Sequence, residues 1–166
     1  MRAPVARDGV RVADLIRRCA PLDHNSLYCN LLQCTHFADT CALALDGDRA
    51  VGWLSAYRLP AEPYALFVWQ VAVAEEVRGA GLAVRLLEHV LARDACRGVT
   101  CVQASVAPSN TNSLRMFHSF AARRGVALER TGWLDRDAHF QGRHESEPLI
   151  RIGPLPAGHP SRRTSA

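Results

Sequence analysis

ALFVWQVAVAEEVRGAGLA, residues Ala65–Ala83, is the stretch that decides the fold. Its first nine residues are apolar on both faces apart from Gln70. A strand of that kind is covered on both sides, which predicts a central place in a sheet. A lone amide such as Gln70 must there find a neighbour or a ligand. Arg78-Gly79-Ala80-Gly81 then opens a helix predicted from about Leu82 to Asp94. Leu82, Leu86 and Val90 form one apolar row of that helix, and Ala83, Leu87 and Leu91 the adjoining one. Gly79 and Gly81 let the backbone approach a ligand closely. The amides of Gly81, Leu82 and Ala83 fall at a helix N-terminus, where they lack intrahelical acceptors and share the positive end of the helix dipole. That is an anion site suited to pyrophosphate, and Arg78 adds a planar fork of donors. A glycine pair of this kind also occurs in plain structural turns, so its context decides.

The context excludes a dinucleotide fold. The third glycine of G-x-G-x-x-G is Val84, and the strand comes late, after a hairpin and two helices. Upstream, Val12, Leu15, Ile16 and Cys19 mark a helix over Arg11–Cys19, which Pro21 ends. Asn25 or Ser26 caps a second helix carrying Leu27, Leu31 and Leu32. Asp46-Gly47 turns a hairpin between strands Cys41–Leu45 and Ala50–Tyr57. Downstream, strand Val99–Val106 precedes a helix over Thr111–Arg124 closed by Gly125. A short strand over Val126–Arg130, a polar loop over Trp133–Glu145 and a last strand over Pro148–Ile152 follow. The chain reads as one mixed α/β (α+β) domain over residues 1–153, with a flexible C-terminal tail over 154–166.

Composition removes whole chemistries. All 20 basic residues are Arg, and no Lys is present. That rules out a P-loop, a Schiff-base lysine and a protein kinase of the usual kind. The net charge is +4, but the Arg pairs at 17–18, 123–124 and 162–163 are scattered and lack interleaved stacking aromatics, so no nucleic-acid partner is expected. No stretch approaches the ~20 apolar residues of a membrane span, and the N-terminus carries no apolar signal region. A cytoplasmic protein is expected, with its six cysteines as free thiols. No C-x-x-C pair occurs, so no metal is expected, Cys29, Cys34 and His36 being a poor ligand set.

Arg78-Gly79-Ala80-Gly81-Leu82-Ala83 matches R/Q-x-x-G-x-G/A. It resembles the acyl-CoA pyrophosphate loop of the GNAT N-acetyltransferase superfamily. Phe67–Val73 resembles that superfamily's splayed, bulged strand, and Asn110-x-x-Ser113-x-x-x-Phe117 its later helix. The motifs Pro21-Leu22-Asp23-His24-Asn25-Ser26-x-Tyr28, Phe37-Ala38-Asp39-Thr40, Pro108-Ser109-Asn110 and His144-Glu145 are similar to those of one family within it, the L-2,4-diaminobutyrate acetyltransferases of ectoine biosynthesis. The resemblance covers roughly residues 5–153.

The resemblance implies a GNAT fold, a mostly antiparallel sheet splayed at the acetyl-CoA site and flanked by helices. It implies acetyl transfer from acetyl-CoA to the 4-amino group of L-2,4-diaminobutyrate, no metal, and a homodimer. Acetyl-CoA is expected at Val71, Val73, Arg78, Gly79, Gly81, Leu82, Ala83 and Asn110. Substrate is expected at Asp23, Asn25, Tyr28, Trp69, His144 and Glu145. Glu145 and Asp23 are candidates for taking the amine proton, directly or through water, and Tyr28 for acting as acid. Arg58 is a candidate for the substrate carboxylate. Structural readings stand beside these. Asp23 could cap the second helix, Trp69 fill the core, Tyr28 pack against Leu31 and Leu32, and His144 sit exposed. One residue departs from the superfamily pattern: Phe117 stands where many members carry a tyrosine acid, and a phenyl ring donates no proton. Two other readings remain, an acetyltransferase for another small diamine or polyamine, and an acyl-CoA sensor without turnover.

Overall fold

The computed structural model describes residues 1–20 and 22–156. A hairpin of β1 (Ala42–Asp46) and β2 (Arg49–Arg58) leads into β3 (Ala65–Val73), antiparallel to β2. β4 (Cys101–Ser105) lies parallel to β3, while β6 (Glu147–Ile152) pairs antiparallel with both β4 and β5 (Leu128–Leu134). The strand order is β1-β2-β3-β4-β6-β5, so β3 is central as predicted. The helices are α1 (Gly9–Arg17), α2 (Leu27–Gln33), α3 (Leu82–Leu91) and α4 (Thr111–Arg124). No helix among the described residues is long and apolar enough to cross a membrane.

The parallel pair is short. Only Ala65–Phe67 register with Cys101–Gln103. Beyond Phe67 the register of β3 against β2 skips Trp69, since Ser55 faces Gln70 and Ala56 faces Val68. One extra residue raises the local twist and bends the strand. β3 therefore leans away from β4, which continues alone along β6. This is the splay expected from the resemblance.

Apolar periodicity explains the packing. Trp53, Leu54, Leu66, Leu86, Leu87, Phe120, Ile150 and Ile152 are fully buried in one cluster, each worth roughly 1.5–3 kcal/mol of burial. α3 lies so near β2 that a Cβ on Gly52 would sit 2.9 Å from Leu82 Cδ2. Most boundaries shift from the sequence reading by one or two residues, and three differ in kind. α3 stops at Leu91, and Asp94–Cys96 makes a separate 3₁₀ turn. Its Leu82 and Ala83 are only half-buried, because they face a cavity rather than the core. β5 begins two residues later than expected and runs on to Leu134, so Trp133 is in a strand; pairing with β6, not its own mostly exposed side chains, makes it one. The chain stays packed at Leu155, which is buried and donates its N–H to Thr100 O. Residues 157–166 of the expected tail lie outside the described residues. The six cysteines are free thiols, and five are buried.

Among the described residues one charged group, Asp8, is buried outright. Asp8 accepts hydrogen bonds from Arg2 Nη1 and Nη2 at 2.7 and 2.8 Å, from Val5 N–H and from Arg11. These bonds, led by that from Arg2, hold its carboxyl down at about 2. A depressed pKa gives stability that is present above the ordinary value of 3.8 and lost as pH falls to about 2, worth about 2 kcal/mol. The stability advantage of wild type over D8N, read by urea unfolding, is expected to shrink by about that amount between pH 5 and pH 2.

Candidate active site

Two cavities open from the splay, and they differ in charge. The first, about 600 Å³, lies between β3, the N-terminus of α3 and α4. Its charged lining is Arg78, Arg115 and Arg123, with no Asp or Glu among the lining residues. Gly81 takes the left-handed conformation at φ 70° and caps α3 without a side chain. The first helical bond runs from Arg85 N–H to Gly81 O, so the amides of Gly81, Leu82, Ala83 and Val84 have no backbone acceptor among the described residues. Those amides, the dipole and three guanidinium groups make an anion-binding wall. Val71, Val73, Gly79, Leu82, Ala83 and Asn110 line this cavity with Arg78 and Gly81, which unites the eight positions expected at acetyl-CoA. Arg78 Nε also donates to Val73 O. The Asn110 side chain is occupied in part, since its Oδ1 caps α4 by accepting Ser113 N–H.

β3 supplies backbone donors to the gap. Ala74 N–H bonds to Val51 O on the β2 side. Backbone polar groups alternate along an antiparallel strand, so Ala72 and Gln70 face β2 likewise, while the N–H groups of Val71 and Val73 turn to the gap. β4 has already diverged there. A sulfur or oxyanion at the gap meets unpaired N–H groups without competition from a neighbouring strand.

The second cavity, about 870 Å³, lies on the other side of the gap. It shares Leu22, Val71, Asn110, Ser113 and Phe117 with the first, so the two meet there. Phe117 is buried at the junction, 3% exposed. The charge is reversed, with Asp23, Glu145 and Glu147 in the lining. Aromatic rings form a wall: Trp69 meets Tyr57 edge-on at 6.2 Å, Tyr57 lies 5.4 Å from Phe67, and Phe67 meets Trp133 at 5.8 Å. An apolar wall with several carboxylates suits a small ligand carrying ammonium groups.

The bulge places the site's first two elements together. Gln70 is buried, its Nε2 donates to Asp23 O at 2.8 Å, and its Oε1 accepts from Asn25 Nδ2 at 2.9 Å. The lone amide of the central strand thus ties the Asp23–Asn25 segment to β3. Ser26, not Asp23, caps α2, and the Asp23 carboxylate remains largely exposed. Trp69, the bulged residue, is half-exposed on the cavity wall rather than in the core. His144 lies between acids, its Nε2 3.6 Å from Asp23 and 4.0 Å from Glu147. A hydrogen bond with Glu145 O, then those negative charges, raise its pKa above the usual imidazole value. Phe140 packs against its ring at a tilt of 47°, the centroids 4.9 Å apart.

Two expected residues are absent. Tyr28 lines neither cavity; it sits in the first turn of α2, 70% exposed. Arg58 is held on Pro63 O and Ala95 O and lines neither cavity. The structure adds Glu147, which accepts from Ser105 Oγ on β4, and Ser109, which donates to Glu145. It also adds the rings of Tyr57, Phe67 and Trp133. His144-Glu145-Ser146-Glu147 offered a signal for Glu147, because alternate residues of an extended segment share a face. Nothing in the sequence paired Trp133 with Phe67. Among the described residues no three His, Cys, Asp or Glu side chains gather in a way that could hold a metal.

Residues 10–121 match the family model described as "Acetyltransferase (GNAT) family". The chain is similar to the L-2,4-diaminobutyric acid acetyltransferase of Methylotuvimicrobium alcaliphilum, with 42% identity over 93% of this chain and 90% of that one. The Streptomyces coelicolor enzyme of that name is 44% identical, over 93% and 92%. Among solved structures, the diaminobutyrate acetyltransferase EctA from Paenibacillus lautus, in complex with its substrate L-2,4-diaminobutyric acid and coenzyme A, superposes with a TM-score of 0.89 at 41% identity, covering 96% of each chain. An acetyltransferase from Salmonella typhimurium with acetyl-CoA, 14% identical at a TM-score of 0.67, shares the fold. The glycine loop, the splayed strand and these relatives agree: the chain belongs to the acetyltransferase (GNAT) family and, within it, to the family of the diaminobutyrate acetyltransferases.

Proposed function

We propose that this protein transfers the acetyl group of acetyl-CoA to the 4-amino group of L-2,4-diaminobutyrate, the acetylation step of ectoine biosynthesis. The observation that carries this is the meeting of an arginine-lined cavity and a carboxylate-lined one at the gap in the sheet. The pyrophosphate lies on the amides of Gly81–Val84, and the pantetheine arm runs along Val71 and Val73 to the splay. The amine enters from the acidic side.

An alkyl amine has a pKa near 10.4, so the nucleophile arrives protonated. Glu147 is far less exposed than Asp23, its side chain 22% accessible against 83%, and it accepts from Ser105 on β4 beside the gap. It takes the proton, directly or through a water, while Asp23 and Glu145 balance the ammonium charge. The neutral nitrogen attacks the thioester carbon and a C–N bond forms. Val71 N–H stabilises the oxyanion. The C–S bond then breaks as the nitrogen gives up its second proton, to water or to the departing sulfur, and the thiolate, with a thiol pKa of about 8.5, needs no protein acid. That agrees with Phe117 at the junction and Tyr28 outside it.

Purified protein given both substrates is expected to release coenzyme A and yield the 4-acetyl product, identified by NMR, with lower kcat/KM for ornithine or putrescine. Coenzyme binding without product would favour the sensor reading, and a preference for putrescine or ornithine the diamine one. Glu145→Ala is expected to raise KM for diaminobutyrate about tenfold and leave the acetyl-CoA Kd unchanged by calorimetry. Equal loss of both would mean a structural role. The chain acts as a cytoplasmic homodimer in this reading; exposed Leu27, Tyr28 and Trp133 offer apolar surface to a second copy. Light scattering at micromolar concentration checks the mass.

A further inference from the structure

The acidic cavity contains a cation that a pocket for simple diamines would not need. Asp23, Glu145 and Glu147 line it, yet so does Arg143. Arg143 is the only arginine in that lining, and its guanidinium makes no hydrogen bond or ion pair among the described residues. The neighbouring imidazole, His144, is occupied: Nδ1 lies 2.8 Å from Glu145 O and Nε2 faces Asp23 and Glu147.

Four neutral side chains of the lining, Gln70, Asn25, Ser105 and Ser109, are engaged as well. Gln70 Nε2 is bonded to Asp23 O, and Asn25 Nδ2 is bonded to Gln70 Oε1. Ser105 Oγ donates to Glu147 and Ser109 Oγ to Glu145. A ligand carboxylate entering this cavity finds one uncommitted charged fork. The loop carrying it is well anchored. Asp135 accepts the N–H groups of Asp137 and Ala138, Arg143 N–H bonds to Phe140 O, and Phe140 packs on His144. The neighbour of Arg143 is therefore fixed against the carboxylates, and Arg143 itself, exposed, stands at the mouth.

We infer that Arg143 binds the α-carboxylate of the amino-acid substrate and so selects an α,ω-diamino acid over a simple diamine. This rests on the substrate reading above. The reacting amine lies deep at the gap among Glu147 and the aromatic wall, and the α-carbon end lies outward, where a guanidinium can take both carboxylate oxygens.

The test compares diaminobutyrate with 1,3-diaminopropane, which is the same molecule without its carboxylate. For wild type, the kcat/KM ratio of the two should favour the amino acid. R143Q should raise KM for diaminobutyrate roughly ten- to a hundredfold, leave KM for acetyl-CoA and turnover of diaminopropane within about twofold, and collapse the ratio. R143K should recover part of it. Discrimination unchanged in R143Q, with diaminobutyrate still acetylated, overturns the role of Arg143 alone. Equal loss for both amines would also overturn it, showing a structural effect. No acetylation of diaminobutyrate by wild type overturns the substrate reading and this role with it.

Discussion

Gly81→Glu is expected to abolish acetyl-CoA binding, raising its Kd more than a hundredfold while the protein stays folded. The residue is the N-cap of α3 with φ 70°, and a Cβ built there would sit 3.5 Å from Arg123 Nη2 and 3.7 Å from Arg85 Nη1. A glutamate carboxylate at that point pairs with Arg123, one of the guanidinium groups lining the coenzyme cavity, and repels the phosphates besides. It also covers the free amides of the first turn. The left-handed backbone costs a non-glycine residue about 1–2 kcal/mol, which is small against a core of this size. Calorimetry of acetyl-CoA binding and a melting curve together read the outcome. Unchanged affinity would remove the glycine loop from the coenzyme site. Gly81→Ala separates the two effects: it carries the same backbone strain without the charge, and should weaken binding far less.

Glu147→Gln is expected to lower kcat for diaminobutyrate by about 10²–10⁴, the usual worth of a positioned general base. The amide keeps the shape and can still meet Ser105, which donates to Glu147 in the wild type. It cannot accept a proton from an ammonium group. The pH profile distinguishes this from mere loss of structure. Without a base, the rate depends on the fraction of amine already neutral, so the variant's rate should climb with pH toward the amine's own pKa of about 10.4. The wild type should level off earlier. Acetyl-CoA affinity should stay as it is, because Glu147 lines only the acidic cavity. A uniform loss at every pH would show that the proton goes elsewhere, with Glu145 or Asp23 the next residues to change.

The two predictions divide cleanly between what was legible in the chain and what was not. Gly81 was legible because the role proposed for it is local. A strand, a glycine pair and a helix start are consecutive in sequence, and backbone amides at a helix N-terminus need no distant partner. Gln70 was half legible: a polar residue in ALFVWQVAV had to be satisfied, but only the fold shows that Asp23 O and Asn25 meet it. Glu147 was not singled out in the chain, because the role proposed for it comes from β6 crossing beside β4 at the gap, nearly 80 residues from the bulge that opens it. Trp133 looked like loop because its strand is made by pairing to β6, with an exposed edge that carries no alternation. Tyr28 sits beside Asp23 in sequence, and helical rotation carried it outward.

By itself the sequence determined the order of the elements, the buried central strand, the glycine-loop anion site and the exclusion of lysine chemistry. All of these are set by neighbours within a few residues, where periodicity and backbone conformation act. Tertiary structure alone decided which carboxylates share a cavity, that Arg143 lines it with them while Arg58 is tied to backbone carbonyls, and that Tyr28 stays out. Those outcomes depend on where β3 parts from β4. A single extra residue at Trp69 sets that point by changing the strand's twist, and its consequences reach side chains far along the chain.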